Sequence, residues 1–138
     1  MTLRIVCFED NPTHRERLET AFSHHDAEFK FFTDPVSDWD ITAERAAIIE
    51  AFDPNFIIVD LKDDKRKKND VGLRIIRKLD EFFQNRYPVI AWSVLLSDKP
   101  KHQRYSTLVR EGGAKPLFKS RNKRTSAARF ISLAGEQG

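Results

Sequence analysis

The stretch "NFIIVD", Asn55 to Asp60, decides the fold. Four consecutive apolar residues run without alternation and stop at a carboxylate. An unbroken apolar run of this length suits a strand buried on both faces, as parallel sheets require. An equivalent run lies upstream in "RIVCFEDNPTHRERL", Arg4 to Leu18, and ends in the acidic pair Glu9-Asp10. Asn11 and Pro12 then supply an N-cap and a first helical residue.

Working outward, strand-like runs alternate with helical periodicity along the whole chain. Strands are predicted at 3–8, 28–33, 55–60, 87–93 and 114–119. Helices are predicted at 11–25, 41–52, 70–85, 101–111 and 122–134. The inward faces read as Leu18, Ala21 and Phe22; then Ile48, Ala51 and Phe52; then Ile75, Ile76, Leu79, Phe82 and Phe83; then Leu108 and Val109; then Ala127, Phe130 and Ile131. Five βα units in order imply a doubly wound parallel α/β sheet in one domain, 1–138, with helices on both faces. Right-handed crossovers place every strand's carboxyl end along one edge, where such sheets bind ligands.

Bulk composition narrows the function. The 138 residues are 40% hydrophobic and 33% charged, which suits a single core and excludes a disordered chain. Cys7 is the lone cysteine, so no intrachain disulfide forms, and a reducing, cytoplasmic setting is expected. No apolar run approaches the roughly 18 residues of a membrane span, and the N-terminus lacks a signal-peptide core. Net charge is +3, unevenly spread. Residues 1–60 hold 5 basic and 13 acidic residues, and residues 61–138 hold 19 and 8.

The chemistry sits at the strand ends. They present Glu9 and Asp10, then Asp60, Ser93 and Lys119, with Thr33-Asp34 on an outer strand. Carboxylates converging on one edge repel unless a cation lies among them, and hard oxygen donors favour Mg²⁺. A lysine and a hydroxyl beside them suit a phosphoryl group.

Four separated motifs in this order resemble the receiver domain of two-component response regulators, the CheY-like superfamily. They are "CFEDNPTHRERLETAF", "NFIIVDL", "YPVIAWS" and "GGAKPLFK". The resemblance implies a flavodoxin-like sheet of order 2-1-3-4-5. It implies Asp60 as phosphoacceptor, with Lys119 and Ser93 on the phosphoryl oxygens. It further implies Mg²⁺ held by Asp10, Asp60, Glu9 through water, and the main-chain carbonyl of Lys62. The phosphoryl donor would be a histidine kinase or a histidine phosphotransfer protein. Any output would lie in a partner or a domain not in this chain, with homodimerisation open. Such a domain assists only its own phosphorylation and dephosphorylation, so it is not expected to be an enzyme.

The sequence departs from the family pattern at several points. The segment after Asp60, "LKDDKRKKNDVG", is long and basic, with Gly72 in the place of the glycine that opens the third helix. Val94 follows Ser93, Pro116 stands where the switch aromatic is usual, and Ser120 follows Lys119. These departures motivate an alternative, a degenerate receiver that docks partners without phosphorylation. A dehalogenase-type phosphatase is disfavoured, because Lys62 stands where its second aspartate is needed. The basic segments 62–68, 98–104 and 119–124 all follow strands at the acidic edge. They lack interleaved aromatics, so nucleic-acid binding is not expected. His24-His25 has no second ligand pair and reads as a solvated helix end.

Overall fold

The structure is a computed structural model that describes residues 2–35, 38–62, 68 and 70–136. Strands β1 (Leu3–Phe8), β2 (Ala27–Phe32), β3 (Phe56–Val59), β4 (Val89–Ser93) and β5 (Lys115–Phe118) pair in parallel, in the order β2-β1-β3-β4-β5. Helices α1 (Pro12–Ala21), α2 (Ala43–Phe52), α3 (Val71–Phe83), α4 (Gln103–Glu111) and α5 (Ala127–Gly135) connect or follow them. The expected sheet and its order are both present. Among the described residues, no helix is long and apolar enough to cross a membrane.

Strand alternation divides the core into two layers. Ile5, Cys7, Phe56, Ile58, Ile90 and Trp92 face α1 and α5. Val6, Phe8, Ile57, Val59 and Ala91 face the opposite side, against Ile49, Ile75, Ile76, Leu79 and Val109. The central strand β3 is buried at every residue, as its unbroken apolar run requires.

Several predicted faces and ends are corrected. In α2 the buried residues are Ala46 and Ile49, whereas Ile48 is 45% exposed and Ala51 faces solvent. This helix is apolar nearly all round, so its periodicity did not fix the inward side. Phe82 and Ile131 are also exposed, at the margins of clear apolar stripes completed by Phe83 and Leu133. Helix α1 stops at Ala21, capped by Phe22, because the chain must turn to start β2 at Ala27. Helix α5 starts at Ala127 rather than 122: Ser126 is its N-cap and accepts from the Arg129 N–H at 3.2 Å. Trp39, which carried no signal in the sequence, is buried and donates its indole N–H to the Phe32 carbonyl at 2.8 Å.

Helix α3 is pressed onto the end of β3. The Gly72 N–H donates to the Leu61 carbonyl at 3.0 Å. A Cβ on Gly72 would collide with the Asp60 carbonyl oxygen and lie 2.5 Å from the Leu61 Cα. Glycine is therefore required here by close approach. Gly72→Ala is expected to cost about 3 kcal/mol of stability, the upper part of the overpacking range, because the obstructing atoms are backbone. Urea unfolding measures it, and a loss under about 0.5 kcal/mol, the size of an ordinary surface change, would contradict the packing.

Candidate functional site

The carboxyl edge of the sheet is fixed by three backbone bonds that carry the parallel ladders one step past the strands. Glu9 N–H donates to the Phe32 carbonyl at 3.2 Å, Asp60 N–H to Phe8 at 3.1 Å, and Lys119 N–H to Ser93 at 3.0 Å. Position along the edge is thus set by sheet register rather than by loop conformation. Glu9, Asp10, Asp60, Ser93 and Lys119 are all buried, the buried polar set of the described core.

Lys119 joins the outer and inner strands of this edge. Its ammonium lies 2.5 Å from Glu9 Oε1 and 3.2 Å from Asp60 Oδ2. It stands 3.1 Å from His14 Nδ1 and 4.4 Å from the centre of the Trp92 ring. Glu9 Oε2 accepts from the Asn11 N–H at 3.3 Å, and Asp60 Oδ1 accepts from the Lys62 N–H at 3.2 Å. The Ser93 hydroxyl accepts from the Leu95 N–H at 3.2 Å, bracing the short 3-10 turn at Val94–Leu96.

Burial and pairing set the protonation states. Burial pushes the Glu9 carboxyl up, but the adjacent Lys119 ammonium and the His14 hydrogen bond outweigh it and hold Glu9 down at about 2. Burial pushes Asp60 up and Lys119 opposes it at longer range, while the Glu9 charge adds to the rise, leaving Asp60 at about 7. Burial draws Lys119 down, and Asp60 and Glu9 together raise it beyond its usual value. Glu9 and Lys119 are thus the standing ion pair, and Asp60 is the carboxylate whose charge is costly.

Sequence reasoning missed His14. It stands four residues after Asp10, in the second half of the first turn of α1, where a side chain tilts back toward the strand end. Besides Lys119 it meets Glu9 Oε1 at 3.4 Å and the Trp92 ring edge-on at 6.1 Å. The ligand atoms of Glu9, His14 and Asp60 lie within 4.8 Å of one another. Asp10 was expected as the inner metal ligand; it is buried at the same edge but is not in that converging set. His24 and His25 are exposed past the end of α1, as expected, and Cys7 lies in the core. The basic residues at 63–67, and Asn69, lie outside the described residues.

The donor set suits a divalent cation. The buried Glu9 and Asp60 carboxylates share one buried ammonium, which leaves a deficit of positive charge in a poorly solvated place when both are ionised. Such a deficit, presented by hard oxygens, fits a cation of the Mg²⁺ or Mn²⁺ type.

No protein-family model matches the sequence, and no curated protein matches it. Solved structures do. The chemotaxis protein CheY4 of Vibrio cholerae superposes with a TM-score of 0.67 over 97% of this chain and 99% of that one, at 11% identity. The BeF3-activated N-terminal receiver domain of Klebsiella pneumoniae RstA gives 0.64, over 94% and 92%, at 22% identity. The Mn²⁺-bound form of the response regulator Rcp1 gives 0.61, over 96% and 90%, at 18% identity. The chain has the receiver-domain fold. In receiver terms, the acidic pair, Asp60, Ser93 and Lys119 all fall at the carboxyl edge of the sheet, one strand after another. The sequence resemblance and the fold therefore agree without any close relative to carry them.

Proposed function

We propose that the protein is a phosphoacceptor receiver that takes a phosphoryl group onto Asp60. The observation that carries this reading is the Lys119 ammonium, buried and 3.2 Å from the Asp60 carboxylate. Lysine at that place is costly to bury, and a phosphoryl group on Asp60 would give it a doubly charged partner. Asp60 attacks phosphorus as the carboxylate, the phosphorus–nitrogen bond of a phosphohistidine breaks, and the imidazole leaves with the bonding pair. Lys119 then pairs with one phosphoryl oxygen. The Ser93 hydroxyl donates to another, which it can do while still accepting from Leu95.

Mg²⁺, held by Asp10, Asp60, Glu9 through water and the Lys62 carbonyl, would neutralise charge on the transferring group. The donor would be a histidine kinase or a histidine phosphotransfer protein. The protein turns over no separate substrate in this reading, and it works in the cytoplasm.

A second reading, a degenerate receiver that docks partners without phosphorylation, has one observation in its favour. Pro116 occupies the switch position of β5, and Phe118, two residues along, is 45% exposed beside the site lysine. With Pro116 in that place, β5 carries no aromatic side chain at the position that would swing inward.

Incubation with Mg²⁺ and a small phosphodonor separates the two. The expected result is one added phosphoryl mass on the wild type and none on Asp60→Asn. Wild type without the added mass, under conditions where a known receiver is labelled, would overturn the phosphoacceptor reading.

A further inference from the structure

The late start of α5 leaves a concave space between α1 and the segment 120–126. A cavity of about 600 Å³ opens there, within the size range of small-molecule sites. Its lining includes five cationic side chains: Arg17, Lys62, Arg121, Lys123 and Arg124. No carboxylate lines it among the described residues. Two other surface cavities among the described residues differ. The α3–α4 groove sets Asp70 against Arg74, Arg77 and Arg104, and the cavity beneath β5 sets Glu136 against Arg110 and Lys115.

The cationic cavity is held in shape from behind. The Arg17 guanidinium donates to the Ser120 carbonyl at 2.8 Å and the Lys123 carbonyl at 2.9 Å, tying α1 to the opposite wall. The Ser120 hydroxyl accepts from the Asn122 and Lys123 N–H groups at 3.2 and 3.1 Å, which fixes the turn. Trp92 donates to Thr125 Oγ1 at 3.2 Å and packs under the Arg17 guanidinium. The first turn of α1 contributes Thr13 and His14 to the lining. Lys62 and Val94 form the side nearest Asp60 and Ser93.

We propose that this cavity is a binding site for a small polyanion carrying two or more phosphate groups. Arg17, Arg121, Lys123 and Arg124 set four cations around one concavity, where they repel each other, and a compact multivalent anion relieves that repulsion at several points together. The concavity lets a small molecule meet several cations together, which a flat acidic protein surface cannot do. Lys62 and Val94 put such a ligand beside the phosphoacceptor aspartate, so it would also control access to Asp60. Binding itself does not require Asp60 to accept a phosphoryl group.

The test is calorimetric titration of the whole protein, in chelator, with orthophosphate, pyrophosphate and tripolyphosphate. Affinity is expected to rise at least tenfold from orthophosphate to tripolyphosphate and to weaken with salt. Arg121→Ser/Arg124→Ser, both exposed, should lose tenfold or more, whereas Asp60→Asn, which cannot accept a phosphoryl group, should still bind tripolyphosphate at least as tightly as wild type. Arg74→Ser/Arg77→Ser, in the other arginine-rich groove, should stay within twofold of wild type. Three results would overturn the proposal. These are no tripolyphosphate binding at millimolar concentration, an equal loss in the Arg74/Arg77 variant, or tenfold tighter binding of polyglutamate or an oligonucleotide than of tripolyphosphate.

Discussion

Lys119→Met is expected to lower the stability of the metal-free protein by about 3–5 kcal/mol at neutral pH, the range for removing one partner of a buried ion pair. The methionine fills much the same volume, so the loss is electrostatic. Glu9 would be left 0% exposed and Asp60 3% exposed, with the cation that joined them gone. Two features distinguish this from a packing defect. The deficit should shrink as pH falls and both carboxyls protonate. It should also shrink when Asp60→Asn is added, because one of the two repelling charges is removed. Urea unfolding of the four proteins in a double-mutant cycle measures both. A deficit unchanged between pH 7 and pH 4 would refute the electrostatic account.

Asp60→Asn should make the metal-free protein more stable at pH 8, although it removes the phosphoacceptor. The sign follows from the raised carboxyl. Asp60 stands at about 7 in the folded protein against an ordinary 3.8. Its contribution is therefore fully favourable below about 3.8 and is lost as pH rises through 7. Across that gap, at 1.36 kcal/mol per pH unit, the loss is roughly 4 kcal/mol at most. Coupling to Lys119 makes about half of that a reasonable expectation. Asparagine escapes the loss, so its advantage should be greatest near pH 8 and absent near pH 4. Glu9 works in the opposite direction: held at about 2, it contributes above its ordinary 4.5 and is lost as pH falls through 2. Wild-type stability in chelator should thus peak on the mildly acidic side of neutrality. Divalent cation should restore the alkaline limb in wild type more than in Asp60→Asn. Thermal melts from pH 4 to 9 measure this, and equal melting of both proteins at pH 8 would count against it.

The strand ends were legible because parallel sheets demand continuous apolar runs, and such a run has a sharp polar terminus. Asp60, Ser93 and Lys119 could each be placed to the residue by counting along one strand. The face of α2 was not legible, because Ile48, Ile49, Ala51 and Phe52 offer several apolar stripes and only contact with the sheet selects Ile49. His14 was not legible because its role depends on the distance between α1 and β5, which no local pattern encodes. The same holds for Tyr105 in α4, a buried residue that α3 and the sheet enclose. The start of α5 was legible in principle from Ser126 as a cap. The exposed basic residues before it carry no apolar periodicity that sets them apart from the helix.

Strand order also turns a property of the sequence into a property of the shape. Residues 1–60, with 5 basic and 13 acidic side chains, build β2, β1 and β3; the basic remainder builds β4 and β5. Because β2 and β5 are the two outer strands, negative charge gathers toward one flank of the sheet and positive charge toward the other. The molecule therefore has an electric dipole lying across its strands. Charged partners would turn it before they touch it, presenting the β5 flank first to an anionic surface, and dilute salt would slow such encounters more than it weakens the finished complex.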